Sequence, residues 1–151
     1  MIEIAEAESG DLIEVLELQK LAYQSEAKLY NDWTLPALTQ SIESLREESL
    51  DSVILKGIVD GSIIGSVRAK TTSATCEVGR LIVHPNFQRK GIGSKLLKII
   101  ENMHQHLERF ELFTGSISAG NIHLYESHGY KITHTMPLSK TVSITYLEKY
   151  M

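Results

Sequence analysis

The stretch Gln88-Arg89-Lys90-Gly91-Ile92-Gly93-Ser94 says more about the fold than any other part of the 151-residue chain. It joins an aliphatic run ending at Val83 to a segment whose apolar residues recur at helical spacing. Glycines at a strand-to-helix turn let the backbone approach a ligand closely and point successive N–H groups at it. A helix start also attracts negative charge. The stretch therefore predicts a cradle for a phosphate or pyrophosphate.

Two common phosphate-binding motifs do not fit the spacing of these glycines. A Walker loop requires Gly-x-x-x-x-Gly-Lys-Ser/Thr, whereas Gly93 is followed by Ser94-Lys95. A dinucleotide-binding fingerprint requires Gly-x-Gly-x-x-Gly, and its last position is Leu96 here. A Gly-x-Gly pair alone is also typical of an ordinary helix start. The choice between these interpretations therefore rests on the surrounding sequence.

The apolar periodicity on either side predicts an α/β protein with a mixed, mostly antiparallel sheet flanked by helices, in the order β-α-α-β-β-β-α-β-α-β-β. Asp60-Gly61 between two β-branched runs predicts a hairpin, and the crossover between Thr75 and Ser116 predicts one parallel pair. Tyr23 to Trp33 is expected to be an irregular loop. The predicted strands are Ile2–Ala5, Val53–Val59, Ser62–Thr72, Thr75–Val83, Phe110–Ser116, Tyr130–Met136 and Val142–Leu147, and the helices begin near Asp11, Thr34, Gly91 and Asn121.

Length and composition indicate one domain over residues 1–151. With 42% hydrophobic and 23% charged residues, the chain is neither collagen-like nor disordered. The single cysteine, Cys76, cannot form an internal disulfide or a cysteine-based metal site, and we expect no metal. No apolar run approaches the roughly 20 residues that span a bilayer, and no signal peptide is visible. We therefore expect a cytoplasmic protein that binds no membrane.

Charged residues are unevenly distributed along the chain. Residues 1–60 hold 13 Asp/Glu against 4 Lys/Arg, whereas residues 61–151 hold 6 against 11. Four of these cations, Arg89, Lys90, Lys95 and Lys98, fall within ten residues. This local surplus is typical either of a site for a compact anion or of a solvated helix face. A net charge of −4 gives no reason to expect nucleic-acid binding.

The sequence around the glycines resembles the GCN5-related N-acetyltransferases. Gln88 to Gly93 is similar to their Gln/Arg-x-x-Gly-x-Gly/Ala signature, and Glu77 to Pro85 resembles the strand that leads into it. Asn121 to Tyr130 resembles a second signature, a helix ending in Leu-Tyr-Glu-x-x-Gly-Phe/Tyr. The resemblance implies an enzyme that transfers an acetyl group from acetyl-CoA to a primary amine, by direct attack through a tetrahedral intermediate. A non-catalytic acyl-CoA sensor, a protein N-terminal or lysine acetyltransferase and a nucleotide-binding regulatory domain remain alternatives.

The resemblance also implies where acetyl-CoA binds. Its pyrophosphate is expected at the glycine turn, and its pantetheine arm in a gap between the strands Thr75–Val83 and Phe110–Ser116. Backbone groups of Leu81 and Val83 are expected to bind the arm, with the Val83 N–H as the oxyanion donor. The implied coenzyme-binding residues are Leu81, Ile82, Val83, Gln88, Arg89, Lys90, Gly91, Ile92, Gly93, Ser94 and Asn121.

Two catalytic residues are implied by the same resemblance. Tyr125 is expected to give a proton to the departing sulfur, although it could instead pack beneath the sheet. Glu77 is expected to act as the base, since strict alternation would place it on the same strand face as Leu81 and Val83. An exposed or ion-paired Glu77 is the alternative, and His134 is a rival base.

The acceptor site is implied to involve the segment between the first two predicted helices. We expect Glu26, Tyr30 and Trp33 to bind a cationic amine by ion pairing and cation–π contact, unless the aromatic residues only anchor the loop. The acceptor is expected to be a small amine, and the sequence leaves a homodimer open.

Overall fold

Seven strands form one sheet, with helices packed on both of its faces, in a computed structural model that describes all residues 1–151. The strands are β1 (Glu3–Glu6), β2 (Ser52–Val59), β3 (Ser62–Thr72), β4 (Thr75–Val83), β5 (Arg109–Gly115), β6 (Lys131–Pro137) and β7 (Ser143–Tyr150). The helices are α1 (Leu12–Ala22), α2 (Gln24–Tyr30), α3 (Pro36–Thr39), α4 (Ile42–Ser49), α5 (Ile92–Met103) and α6 (Ala119–Ser127).

The strand order is β1-β2-β3-β4-β5-β7-β6, and every neighbouring pair is antiparallel except β4 and β5. The predicted fold class, the hairpin and the single parallel pair are confirmed. Asp60 and Gly61 both have positive φ, 50° and 80°, the conformation that a two-residue hairpin turn requires. The β2–β3 pairing therefore follows from local turn chemistry, and the β4–β5 pairing from one crossover through α5.

Alternating residues of the central strands divide the core into two halves. Ile64 packs with the buried face of α5, whereas its neighbour Ile63 packs with α1 and Leu45 of α4. Each such buried aliphatic side chain contributes about 1.5–3 kcal/mol to the free energy of unfolding. This packing places α1 and α5 on opposite faces of the sheet. The end of α1 and the start of α5 both lie near the carboxyl end of β4.

The expectation that Glu77, Leu81 and Val83 share one face of β4 is wrong. Arg80 has a φ of +49°, and β3 offers one residue, Val67, against Arg80 and Leu81. This bulge reverses the alternation. Leu81 and Val83 consequently pack on the α5 side, on the face opposite to Glu77.

Strands β4 and β5 separate after a short paired segment. Their pairing covers only residues 75–77 with residues 109–111, although β4 continues to Val83 and β5 to Gly115. Beyond that point the facing backbone edges of the two strands have no sheet partner. The predicted gap between these strands is therefore present.

The segment between Tyr23 and Trp33 is a helix and not the expected loop. Helix α2 occupies residues 24–30 and ends at Asn31 in a left-handed conformation with a φ of 51°. Tertiary packing stabilises this seven-residue helix, which is too short to be stable alone. The single helix expected after Thr34 is likewise two short helices, because Gln40 has extended backbone angles between α3 and α4.

Candidate active site

The turn before α5 presents a row of free backbone donors. Arg89 and Gly91 have left-handed φ values of 63° and 79°, an alternation that turns successive N–H groups toward one side. The N–H groups of residues 89–94 have no acceptor within the protein, and the first backbone bond of the helix runs from the Lys95 N–H to the Gly91 oxygen. The turn thus offers an anion several donors and the positive end of a twelve-residue helix.

The side chain of Ser94 does not compete for this position. Its hydroxyl lies 3.0 Å from Nε2 of His128 at the end of α6. Burial lowers the pKa of His128, so its ring is neutral at pH 7. The contact ties the start of α5 to α6 without adding charge.

A cleft of about 660 Å³ extends from this turn along the open edge of β4. Every residue predicted to bind the coenzyme lines it except Lys90, whose ammonium lies 5.5 Å from the ring centroid of Phe87. The end of α1, the connecting residue Tyr23 and residues of α2 such as Glu26 form another wall. The start of α6 closes the cleft with Ser118 and Asn121.

The edge of β4 offers backbone groups to this cleft. The His84 N–H donates to the oxygen of Ile64, a bond to β3. In the antiparallel pattern, the groups of the preceding residue, Val83, then point away from β3 and into the gap. Gln88 Nε2 donates to the Val83 oxygen at 3.2 Å. The Val83 N–H, which faces the gap, has no acceptor in the protein. This N–H is therefore free to donate to a ligand carbonyl.

A second, smaller cavity of about 170 Å³ adjoins the cleft. Tyr23, Glu26, Leu81 and Asn121 line both cavities and so mark their junction. The walls of the second cavity are mostly apolar and come from the α2–α3 segment and from residues before and on β7. A long ligand in the cleft and a small one in the cavity would meet at this junction.

Tyr125 lies in the wall of the second cavity, almost fully buried. Its hydroxyl has no hydrogen-bond partner in the protein. Burial raises the pKa of Tyr125 above its usual range, and the neighbouring Tyr23 and Glu26 raise it further. The phenol is therefore neutral at physiological pH and holds a proton that it can donate.

Glu26 is the carboxylate at the junction. It accepts hydrogen bonds from Ser118 Oγ at 2.8 Å and from Asn121 Nδ2 at 3.2 Å. No lysine or arginine forms an ion pair with it. These neutral donors orient the carboxylate and leave it able to bind a cation or accept a proton.

Glu77 lies away from both cavities. It sits where β4 is still paired on both edges, opposite Lys70 and Glu111. Its side chain is exposed, and its Oε2 accepts a hydrogen bond from Thr72 Oγ1 at 2.8 Å. The bulge at Arg80 and the late separation of β4 and β5 explain why this carboxylate is not brought to the cleft.

The two predicted aromatic acceptor residues differ in placement. Tyr30 lines the second cavity, but its hydroxyl bonds to Ser118 Oγ at 2.7 Å and accepts the Ile117 N–H at 3.1 Å. A Cβ at Gly115 would overlap its phenol, so glycine is needed there. Trp33 is 54% exposed and lines neither cavity. Tyr30 thus anchors α2, and Trp33 lies outside the candidate site.

The rival base His134 and the single cysteine both lie elsewhere. His134 stacks on Tyr146 at 4.5 Å between ring centroids on the exposed β6 strand and lines neither cavity. Cys76 is fully buried, and burial raises the pKa of its thiol to about 12. Neither side chain is positioned to act in the cleft.

Two residues that line the cavities, Arg80 and Ser118, were not predicted from the sequence. Arg80 carried a visible signal, a charge inside an otherwise apolar strand segment.

No three His, Cys, Asp or Glu side chains cluster in a way that could hold a metal ion. The absence of a metal stays a prediction. None of the helices has the length and apolar character needed to cross a bilayer.

The family model of the acetyltransferase (GNAT) domain matches residues 52–132, more than half of the chain. A curated relative, UPF0157 protein YqkA of Bacillus subtilis, is 23% identical over 137 residues. The match covers 91% of this chain and 39% of that protein, so the chain spans about two fifths of its relative's length.

Solved structures share the fold over their whole length. The PaiA N-acetyltransferase of Thermoplasma acidophilum in complex with coenzyme A superposes with a TM-score of 0.81 at 21% identity, covering 100% of this chain and 99% of that one. The ribosomal-protein-S18-alanine N-acetyltransferase of Escherichia coli gives 0.82 at 15% identity, with 99% and 94% covered. A putative acetyltransferase of Salmonella typhimurium, yncA, with its cofactor acetyl-CoA, gives 0.76 at 21%, again with 99% and 94% covered.

The matched segment contains the separated strands β4 and β5 and the turn of free N–H groups at residues 89–94, here called the amide turn. It runs from β2 through the separated strands, the amide turn and α6 to the start of β6. The chain therefore belongs to the GNAT acetyltransferase family.

Proposed function

We propose that the protein is an acetyl-CoA-dependent N-acetyltransferase whose acceptor is a small primary amine. One observation carries the proposal: the free N–H groups of residues 89–94 open into a cleft that continues along the gap beside β4. A pyrophosphate suits the turn and an extended amide-bearing arm suits the open strand edge. When bound, acetyl-CoA supplies an acyl thioester to the junction of the two cavities.

The residues at the junction have complementary tasks in this proposal. The Val83 N–H donates to the carbonyl oxygen on which negative charge builds. Tyr125 holds a proton for the leaving sulfur. The amine enters from the second cavity and reaches the same point from the other side.

Glu26 is our candidate for the group that binds the amine and takes its proton. An amine with a pKa near 10 is mostly protonated at pH 7 and must lose a proton before it can attack. Glu26 lines both cavities and has no cationic partner, whereas Glu77 lines neither. The base role predicted for Glu77 has no support from this geometry.

The size of the second cavity favours a small acceptor. It is walled by side chains of the α2–α3 segment and of β7 and provides about 170 Å³. A long peptide would need an open groove at this position. A small molecule that fills the cavity would bury most of its surface.

Two measurements test the proposal. Calorimetry should show acetyl-CoA binding, and a panel of small amines should yield products heavier by one acetyl group in mass spectrometry. Acetyl-CoA binding without any acetylated product would support a sensor module. Acetylation of peptides but not of small amines would support a protein acetyltransferase.

A further inference from the structure

Arg80 is a cation of the second cavity without an ionic partner. It lines the cavity, its side chain is partly buried, and its Nε is buried without a hydrogen-bond partner. No carboxylate lies within ion-pair distance of its guanidinium. Its one charge-related contact is with the ring of Tyr23, whose centroid lies 5.8 Å from Cζ.

The neighbouring groups do not neutralise Arg80. Arg68 is the neighbouring cation; burial lowers the pKa of Arg68, and the positive charge of Arg80 lowers it further. The carboxylate of Glu48 is bound by Arg68 Nη1 at 3.1 and 3.2 Å. Arg68 Nη2 also donates a hydrogen bond to the side-chain oxygen of Gln19. The cluster therefore retains one uncompensated positive charge beside the cavity.

The backbone holds Arg80 in this position at a conformational cost. Its left-handed φ of +49° occurs at the bulge of β4, in a conformation that favours glycine. The bulge also brings the next residue, Leu81, to the junction of the two cavities. A buried cation without a partner is unfavourable unless an anion binds to it. The bulge therefore places Arg80 in the wall of the second cavity, next to a residue of the junction.

The charges of the second cavity lie in two places. Glu26 supplies a carboxylate at the junction, and Arg80 supplies a guanidinium in the cavity wall. Apolar side chains such as Leu35, Leu138 and Val142 form much of the remaining wall. The cavity therefore complements a molecule with an amine, an acidic group and an apolar body.

We infer that the acceptor is a primary amine that also carries a carboxylate, with the amine at Glu26 and the carboxylate at Arg80. Guanidinium and carboxylate groups match in shape and form charge-assisted hydrogen bonds. This inference rests on the acetyl transfer proposed above and narrows its substrate class to amino-acid-like compounds with apolar side chains.

The test compares matched pairs of acceptors with the full-length protein. Leucine, methionine and phenylalanine would each be assayed beside the amine that lacks the carboxylate. The amino acids should have kcat/KM values about 10–100-fold higher than their decarboxylated partners, because only they pair with Arg80. Equal acetylation of both members would overturn this inference and leave the transferase proposal standing. Acetylation of neither member of any pair would overturn both.

A substitution of Arg80 tests whether this residue causes the expected preference for amino acids. Arg80→Gln should raise KM for the amino acids about 10–100-fold and leave KM for the decarboxylated amines and the affinity for acetyl-CoA unchanged. Arg80→Lys should restore part of the preference. The matched control is Arg46→Gln, at an exposed arginine on α4 that lines neither cavity. An Arg80→Gln protein that still prefers the amino acids would contradict the inference.

Discussion

At the residue scale, three side chains that line the second cavity have groups available to a ligand. Glu26 is an unpaired carboxylate held by neutral donors, Tyr125 is a neutral phenol, and Arg80 is an unpaired guanidinium. Glu26 and Arg80 have no ionic partner, and the Tyr125 hydroxyl has no hydrogen-bond partner in the protein. Side chains left without a partner in a cavity are available to a ligand, whereas Tyr30 is occupied by Ser118 and Ile117.

The choice between two glutamates can be measured directly. Glu26→Gln should lower kcat/KM for a good acceptor about 100-fold at pH 7, because the amine loses its proton acceptor. The deficit should shrink toward pH 10, where the amine is deprotonated in solution. Glu77→Gln is the control and should retain the wild-type rate. A loss of activity in Glu77→Gln but not in Glu26→Gln would contradict our assignment.

The role of Tyr125 can be separated from packing by comparing two buried tyrosines. Tyr125→Phe should lower kcat about 100-fold with little change in the affinity for acetyl-CoA, because only the proton donor is lost. Tyr130→Phe should instead lower the free energy of unfolding by about 1 kcal/mol, since its hydroxyl donates to Glu101 at 2.8 Å. Full turnover in Tyr125→Phe would remove this residue as the acid.

At the scale of elements, the site depends on the end of one strand and the start of one helix. Strand β4 leaves β5 after Glu77, bulges at Arg80 and then leads through the amide turn into α5. Helices α1 and α2 close the opposite side. The cleft therefore exists because β4 has a pairing partner on only one edge over its second half.

Substitutions at two glycines distinguish an effect on ligand binding from an effect of backbone strain. Gly91 and Gly61 have nearly the same φ, 79° and 80°, and no atom lies within 4 Å of a Cβ at either position. Replacing either by glutamate should cost a similar 1–2 kcal/mol in unfolding free energy. Only Gly91→Glu should weaken acetyl-CoA binding, by more than about 100-fold, because its carboxylate repels the pyrophosphate. Equal affinities of the two variants in calorimetry would contradict the proposed turn.

At the scale of the whole molecule, the cleft is built from elements that are distant in the chain. The cleft is lined by residues of α1, α2, β4, the amide turn and the start of α6. A ligand that touches all of them binds only the folded arrangement. Binding should therefore raise the stability of the entire chain.

Thermal unfolding measures this coupling. Acetyl-CoA at about 100 times its Kd should stabilise the fold by about 2.7 kcal/mol, which corresponds to a rise in Tm of roughly 5–10 °C for a chain of this size. ATP and NAD at the same concentration should produce a smaller shift, since they have no arm for the gap beside β4. A larger shift with either nucleotide would favour a nucleotide-binding regulatory domain.

The turns and the parallel strand pair of this protein could be predicted from the amino-acid sequence alone. The Asp60-Gly61 turn, the amide turn at Gly91 and the parallel crossover follow from backbone preferences of neighbouring residues. The residues expected at the coenzyme cleft line it, apart from Lys90, because a strand followed at once by a helix fixes their relation. Family membership followed from the same short segments.

The second cavity could not be predicted from the sequence, because distant segments of the chain form its walls. The bulge at Arg80 is invisible to strict alternation, and it separates Glu77 from the face that carries Leu81 and Val83. Helix α2 forms only against the rest of the protein, and it carries Glu26 to Ser118 and Asn121, more than 90 residues away in the chain. Contacts between distant segments depend on packing and burial, which the order of neighbouring residues does not encode.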